Sequence, residues 1–201
     1  MEVCDKVLYH FHKPYVKEDS WFVGNEIVID DDYNSKLCEI VELYKERSSL
    51  IDRIINGVYN ECDLQEMLSE GVSISDFEQI RYTFKREQAL ENYRLKYKNN
   101  LPSRLHSLYL CDELQLAHWI YQLDPKCEIY KLQVTGNIFV TSDYYIPRFT
   151  ASDDEILQIA SDYWNPSESR DTFKDEILFQ GKAKILEKID KDYLRSNNEE
   201  N

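Results

Sequence analysis

The stretch DEILFQGKAKIL, residues 175–186, decides how the chain is read. Its apolar run Ile177-Leu178-Phe179 is short and bounded by polar residues, which is the pattern of a buried strand. Glu176 opens that run, and a carboxylate at the mouth of a buried strand costs free energy unless it is paired or used. Gly181 divides the segment into Glu176–Gln180 and Ala183–Glu187, which predicts two strands separated at the glycine. A polar tail follows, expected to be disordered over about 192–201.

Near the other end, LYHFH at residues 8–12 reads as a second strand with unexpected polar content. At a period of two, Leu8, His10 and His12 share one face while Val7, Tyr9 and Phe11 share the other. Same-face imidazoles lie close enough to share a zinc ion, yet a third ligand would have to come from distant His106, His118 or a carboxylate, so no metal is expected. His12 is read as a half-buried residue bonded to backbone, and His10 as a functional one.

Between these segments the pattern alternates. Residues 3–12 predict a strand, and Trp21–Ile29 a second extended piece after a turn at Pro14. A helix is predicted from Ser35 to Tyr59, with Leu37, Val41, Tyr44, Ile51, Ile55 and Val58 on one face and Gly57 at its fraying end. After an acidic link, a capping box of Ser75 and Glu78 opens a second helix that stops before Pro102. From Leu101 onward the reading is a strand at 103–110, then a helix capped by Asp112, running through Leu123 and ended by Pro125. Residues 127–134 form a strand that turns at Gly136 into Ile138–Val140 as a hairpin, and Ser152 with Glu155 caps a helix reaching Trp164. The helical pair at about 35–98 is either an insertion packed beside a β core or a lid over its cleft. The whole, residues 1–201, is expected to be one α+β domain.

Composition limits the function classes. With 42% hydrophobic and 13% aromatic residues, the 201-residue chain folds despite its charge. A formal net charge of -14 disfavours general nucleic-acid binding and would steer a basic partner, such as a neutralising or substrate protein, towards it. Five scattered cysteines without CxxC spacing argue for reduced thiols. The first thirty residues have no signal-peptide character and no stretch approaches the ~20 apolar residues of a membrane span, so a cytoplasmic protein without membrane contact is expected. Five glycines build neither a P-loop nor a GxGxxG fingerprint, and no serine sits in a GxSxG elbow.

Ser103, Arg104 and Ser107 are read two ways. An arginine with two hydroxyls on a buried strand could hold a phosphate or ribose, or Arg104 could pair with a carboxylate such as Glu78 or Asp112. Tyr109, Tyr163 and Trp164 are core aromatics or stacking platforms.

A histidine on the first strand, a serine- and tyrosine-bearing middle strand followed by a helix, and a late glutamate in EILFQGKAKI together resemble the ADP-ribosyltransferase superfamily. LYHFH is similar to the opening strand of its diphtheria-toxin and poly-ADP-ribose polymerase branch, and the resemblance covers residues 6–12, 101–123 and 175–186. It implies an ADP-ribosyltransferase-like split sheet carrying the helical pair as an insertion. It further implies NAD as co-substrate, a protein or nucleic-acid acceptor for ADP-ribose, and a toxin or phage-defence role. In that scheme Glu176 is catalytic, His10 bonds the ribose and amide region beside Tyr9, Tyr109 stacks on nicotinamide, and Ser103, Arg104 and Ser107 help to place the dinucleotide. Lys174 stands where arginine-modifying toxins carry a first glutamate, so an arginine acceptor is not expected. Rival readings are an NAD glycohydrolase, a non-catalytic interaction module using the helical pair, and an RNA 2'-phosphotransferase-like enzyme.

Overall fold

Two fifteen-residue strands that each run straight through a glycine form the centre of the molecule. A computed structural model describes residues 1–12, 21–69, 71–122, 126–146, 151–169 and 171–190. The strands are β1 (Glu2–His12), β2 (Glu26–Ile29), β3 (Leu108–Leu110), β4 (Glu128–Ser142) and β5 (Asp175–Ile189). The helices are α1 (Lys36–Ile55), α2 (Glu61–Ser69), α3 (Ile74–Tyr97), α4 (Glu113–Gln122) and α5 (Asp153–Trp164). This is an α+β fold on a five-stranded antiparallel sheet.

The expected hairpin at Gly136 and the expected break at Gly181 are both absent, because β4 and β5 pair continuously from Ile129↔Ile189 to Ser142↔Asp175. Gly136 and Gly181 stand opposite each other in that ladder, with φ of 152° and 146°. A Cβ on Gly136 would lie 2.3 Å from the Gln180 carbonyl oxygen, and one on Gly181 2.4 Å from that of Thr135. The glycines therefore mark a close approach of two backbones inside a sheet, a recognised use of strand glycine.

β1 lines the other edge of β4, while β3 and β2 share the remaining edge of β5 end to end, at Ile177–Phe179 and Gly181–Lys184. Tyr9 and Cys111 then exchange two backbone hydrogen bonds of 2.9 Å. Those bonds join β1 to the end of β3, so the circuit β1–β4–β5–β3 closes on itself. Leu8, Leu132, Val134, Ile177, Phe179 and Ile185 fill one side of it. On the other side Leu178 packs with Leu90 of α3 and with Tyr163 and Trp164 of α5. α4 covers Tyr9, Cys111 and Ile129 through Leu116 and Ile120.

Helix starts follow local chemistry. Ser35 caps α1 and Ser152 with Glu155 forms the expected capping box of α5. Asp112 and Gln115 cap α4 reciprocally at 3.0 Å, whereas the expected end at Leu123 and Pro125 lies outside the described residues, as do the Pro14 turn and the tail at 192–201. α3 begins two residues before the expected box: Ser73 and Asp76 are the pair. Val72 and Phe77 join the same apolar cluster, so a hydrophobic staple favours the upstream start. The acidic link holds a helix, α2, opened by reciprocal bonds between Asn60 and Asp63. α1 buries Cys38, Val41, Leu50, Ile51 and Ile54 and ends at Ile55, leaving Val58 exposed.

Replacing Gly136 or Gly181 with Ala is expected to cost about 3 kcal/mol, through overpacking and strained φ. Urea unfolding with an unchanged m-value checks it; a cost under ~0.5 kcal/mol, within the usual range for surface changes, would mean that the two strands can move apart freely.

Candidate active site

The circuit brings the chemically interesting ends of three strands to one place. His10 leaves β1 just beyond the Tyr9–Cys111 bridge, and its Nδ1–H donates to the Tyr109 carbonyl at 2.9 Å. A carbonyl can only accept, so this bond fixes the tautomer and leaves Nε2 as an acceptor. Burial pushes the His10 imidazole down to about 4, so it is neutral at ordinary pH. Trp21 stacks on both His10 and His12, with ring centroids 4.8 and 4.5 Å away. His12 is buried against this indole, more deeply than the half-buried position expected, and it too borders the cavity at the β1–β3 seam.

A cavity of about 500 Å³ lies against the seam between β1 and β3. His10, Ser107, Tyr109 and Glu176 line it, together with Trp119 of α4 and residues 33–37 and 39–40 at the start of α1. This size falls in the range of small-molecule sites. The start of α1 is pinned to the turn before β3. The Ser35 amide donates to the Leu105 carbonyl at 2.9 Å, its hydroxyl donates to the Arg104 carbonyl at 3.2 Å, and the His106 ring bonds the Tyr33 carbonyl at 2.9 Å. The start of α1 thus supplies one wall of the cavity.

Beneath Glu176 lies a buried charge network. Arg104 sits in this turn and not on a strand; only Leu108–Leu110 of the expected 103–110 strand is extended. Its partners are neither Glu78 nor Asp112. Arg104 Nε donates to Glu87 Oε2 of α3 at 2.9 Å, while Nη1 donates to Tyr163 Oη at 2.5 Å and to Glu176 Oε1. Tyr163 also donates to Glu176 Oε1 at 2.5 Å. Arg86 completes the group, pairing with Glu87 Oε1 at 2.7 Å. Two arginines and two glutamates are therefore neutral together. Glu176 Oε1 takes both bonds, and Oε2 has no hydrogen-bond partner among the described residues.

Burial raises the Glu176 carboxyl above its ordinary range, with Arg104 acting against the rise. Burial would raise Glu87 too, but Arg104 and Arg86 outweigh it and hold this carboxyl below the usual value. Glu176 and Glu87 keep Arg104 firmly cationic, although its own burial works against the charge. Burial pushes the Tyr109 and Tyr163 hydroxyls well above their usual range. Tyr109 donates its hydroxyl to the Arg104 carbonyl at 3.0 Å and lays its ring 5.4 Å from the guanidinium carbon.

His10, Ser107, Tyr109 and Glu176 are thus brought together. Ser107 is fully buried, and its hydroxyl has no partner among the described residues. Arg104 lies behind Glu176 and is not a lining residue, Ser103 donates to Glu91 at 3.0 Å, and Tyr9 faces the α4 cluster. Glu87 and Arg86 were not singled out in the sequence. A signal was present, since Glu87 continues the spacing of Phe77, Ile80 and Phe84 and puts a charge on the buried side of the helix.

A closed antiparallel circuit with a cavity on its seam and a buried ion network beneath defines an α+β protein with a ligand-sized cleft. Residues 8–191 match the model of a family described as protein of unknown function (DUF2441), and the chain belongs to that family. No curated protein matches it. Among the described residues no helix is long and apolar enough to cross a membrane.

Replacing Arg104 with Met is expected to cost about 3–5 kcal/mol at pH 7, because Glu176 loses its buried counter-ion. The folded pKa of Glu176, already raised, then rises further. A raised carboxyl favours the fold fully below its unfolded pKa and loses that contribution as pH climbs through the folded one. The deficit against wild type should therefore shrink between pH 7 and pH 5 in urea titrations. A deficit constant with pH would assign the loss to packing alone.

Proposed function

We propose that the cavity binds NAD and that the protein is an ADP-ribosyltransferase, built on a split-sheet core of that superfamily, passing ADP-ribose to a macromolecular acceptor. The observation that carries this reading is the convergence of His10, Tyr109 and Glu176, from three different strands, on one cavity. Two fixed acceptor atoms, His10 Nε2 and Glu176 Oε2, suit the hydroxyls of a ribose. Breaking the nicotinamide–ribose bond passes through an oxocarbenium-like state, and a carboxylate on the 2'-hydroxyl stabilises the developing positive charge. Anchoring Glu176 by Oε1 keeps that carboxylate oriented without reorganisation during the reaction. The positive nicotinamide ring gains from an aromatic face until it leaves neutral, and Tyr109 offers one at the cavity wall. Tyr9, Ser103 and Arg104 take no direct part, since none of them lines the cavity.

Nicotinamide release from NAD by the purified chain, followed by chromatography with and without cell lysate, tests the proposal. E176Q should lose roughly 10²–10³-fold in rate. Because Glu176 also supports Arg104, H10A is run beside it: this variant leaves the ion network intact and should weaken NAD binding. Wild-type rate should not follow the titration of His10 between pH 5.5 and 8, given its value of about 4. A fully active E176Q, or wild type that neither binds NAD nor releases nicotinamide, would sink the assignment. Dependence on lysate separates transferase from glycohydrolase.

A further inference from the structure

We propose that Glu87 of α3 is a positioning residue for Glu176: it fixes Arg104, which holds Glu176 by Oε1 and leaves Oε2 to the cavity. This rests on Glu176 being the group that meets the substrate, as in the function proposed above. Glu87 is 1% exposed on the face of α3 that also buries Phe77 and Leu90. For packing alone a hydrophobic residue would serve there as well or better, since buried ion pairs are often neutral or worse than their apolar replacements. A fully buried carboxylate bonding two guanidiniums points instead to a role that needs its charge and direction.

The geometry supplies that role. Arg104 has one flat guanidinium, with Nε on Glu87 and Nη1 on Glu176 and Tyr163. Bonding at Nε sets the plane of the fork, and the plane sets where Nη1 points. Arg86 holds Glu87 from the other side at 2.7 Å. The relay runs from helix α3 to strand β5 through one side chain, so the helical pair belongs to the site's machinery. Glu176 also feels Asp143, in the turn after β4, and accepts a hydrogen bond from Tyr163 of α5. Tyr109 of β3 stands against Arg104 on the cavity side, and Lys174 lies two residues before Glu176 in the chain. None of these replaces the Glu87 contact to Nε.

The test compares wild type with E87Q and E87D, and with the double variant R86M/E87M. The double variant removes one cation and one anion together, so the buried charge stays balanced should E87Q fail to fold. Two readouts are taken: the Glu176 carboxyl titration by carbon-13 NMR, assigned by its loss in E176Q, and kcat and KM for nicotinamide release. E87Q is expected to lower the Glu176 midpoint by about one pH unit, because Arg104 is no longer shared with a second carboxylate. Its kcat should fall about ten- to hundredfold with KM nearly unchanged, and E87D should recover most of the loss. In R86M/E87M kcat should fall likewise in a folded protein. An unmoved Glu176 midpoint in E87Q, or full kcat in the double variant at lowered thermal stability, would overturn the proposal and leave Glu87 a structural residue. If wild type releases no nicotinamide, the proposed function fails by itself, and the NMR titration still decides whether Glu87 governs Glu176.

Discussion

One buried cation organises this molecule. Arg104 belongs to a turn, yet its guanidinium reaches a helix through Glu87, a second helix through Tyr163, and the central strand through Glu176. Without partners a guanidinium at that depth would be too costly to keep, so the elements that carry the partners must close around it. Packing of α3 and α5 against Leu178 makes the same closure favourable by burying apolar surface. Charge and hydrophobic terms therefore specify one arrangement of helices on the sheet, and that arrangement exposes one oxygen of Glu176.

The sheet contributes the other half of the site by closing on itself. Strands twist, and a circuit of only four must coil strongly to bring β1 back against β3. The Gly136–Gly181 contact lets β4 and β5 approach closely within the continuous ladder between them. Beyond the single Tyr9–Cys111 bridge between β1 and the end of β3, the His10 ring takes the Tyr109 carbonyl. The cavity begins at that point, so one short seam both completes the fold and borders the cavity.

Local signals were legible in the sequence and distant ones were not. Period-two alternation placed Leu8, His10 and His12 on one face, and the Asp112 cap and the Ser152–Glu155 box stand where side-chain chemistry requires them. Glycine misled, because Gly136 and Gly181 carry turn-like signals whose meaning depends on each facing the other across a ladder. Ser75–Glu78 and Ser73–Asp76 are equally good boxes on paper, and a staple between Val72 and Phe77 favours the second. Arg104 was recognisable as an expensive residue, but its partner lies seventeen positions upstream on a helix, and no local rule connects a turn to a helix face. Glu87 had a local trace only as a charge interrupting an apolar stripe.

Burial favours the neutral form of both cavity groups. It drives His10 to about 4 and so keeps the imidazole neutral, with Nε2 free to accept. The same burial lifts Glu176 towards protonation, which would turn half its acceptor capacity into a donor. Arg104 opposes that lift while it also pairs with Glu87. The site then presents to whatever enters a neutral imidazole and a Glu176 carboxyl anchored by Oε1. Hydroxyls and developing positive charge suit such a pair and incoming anions do not, consistent with a formal net charge of -14 for the chain as a whole. A ligand carrying phosphates would have to keep them away from Glu176, towards the start of α1, where Lys36 and the helix amino end lie.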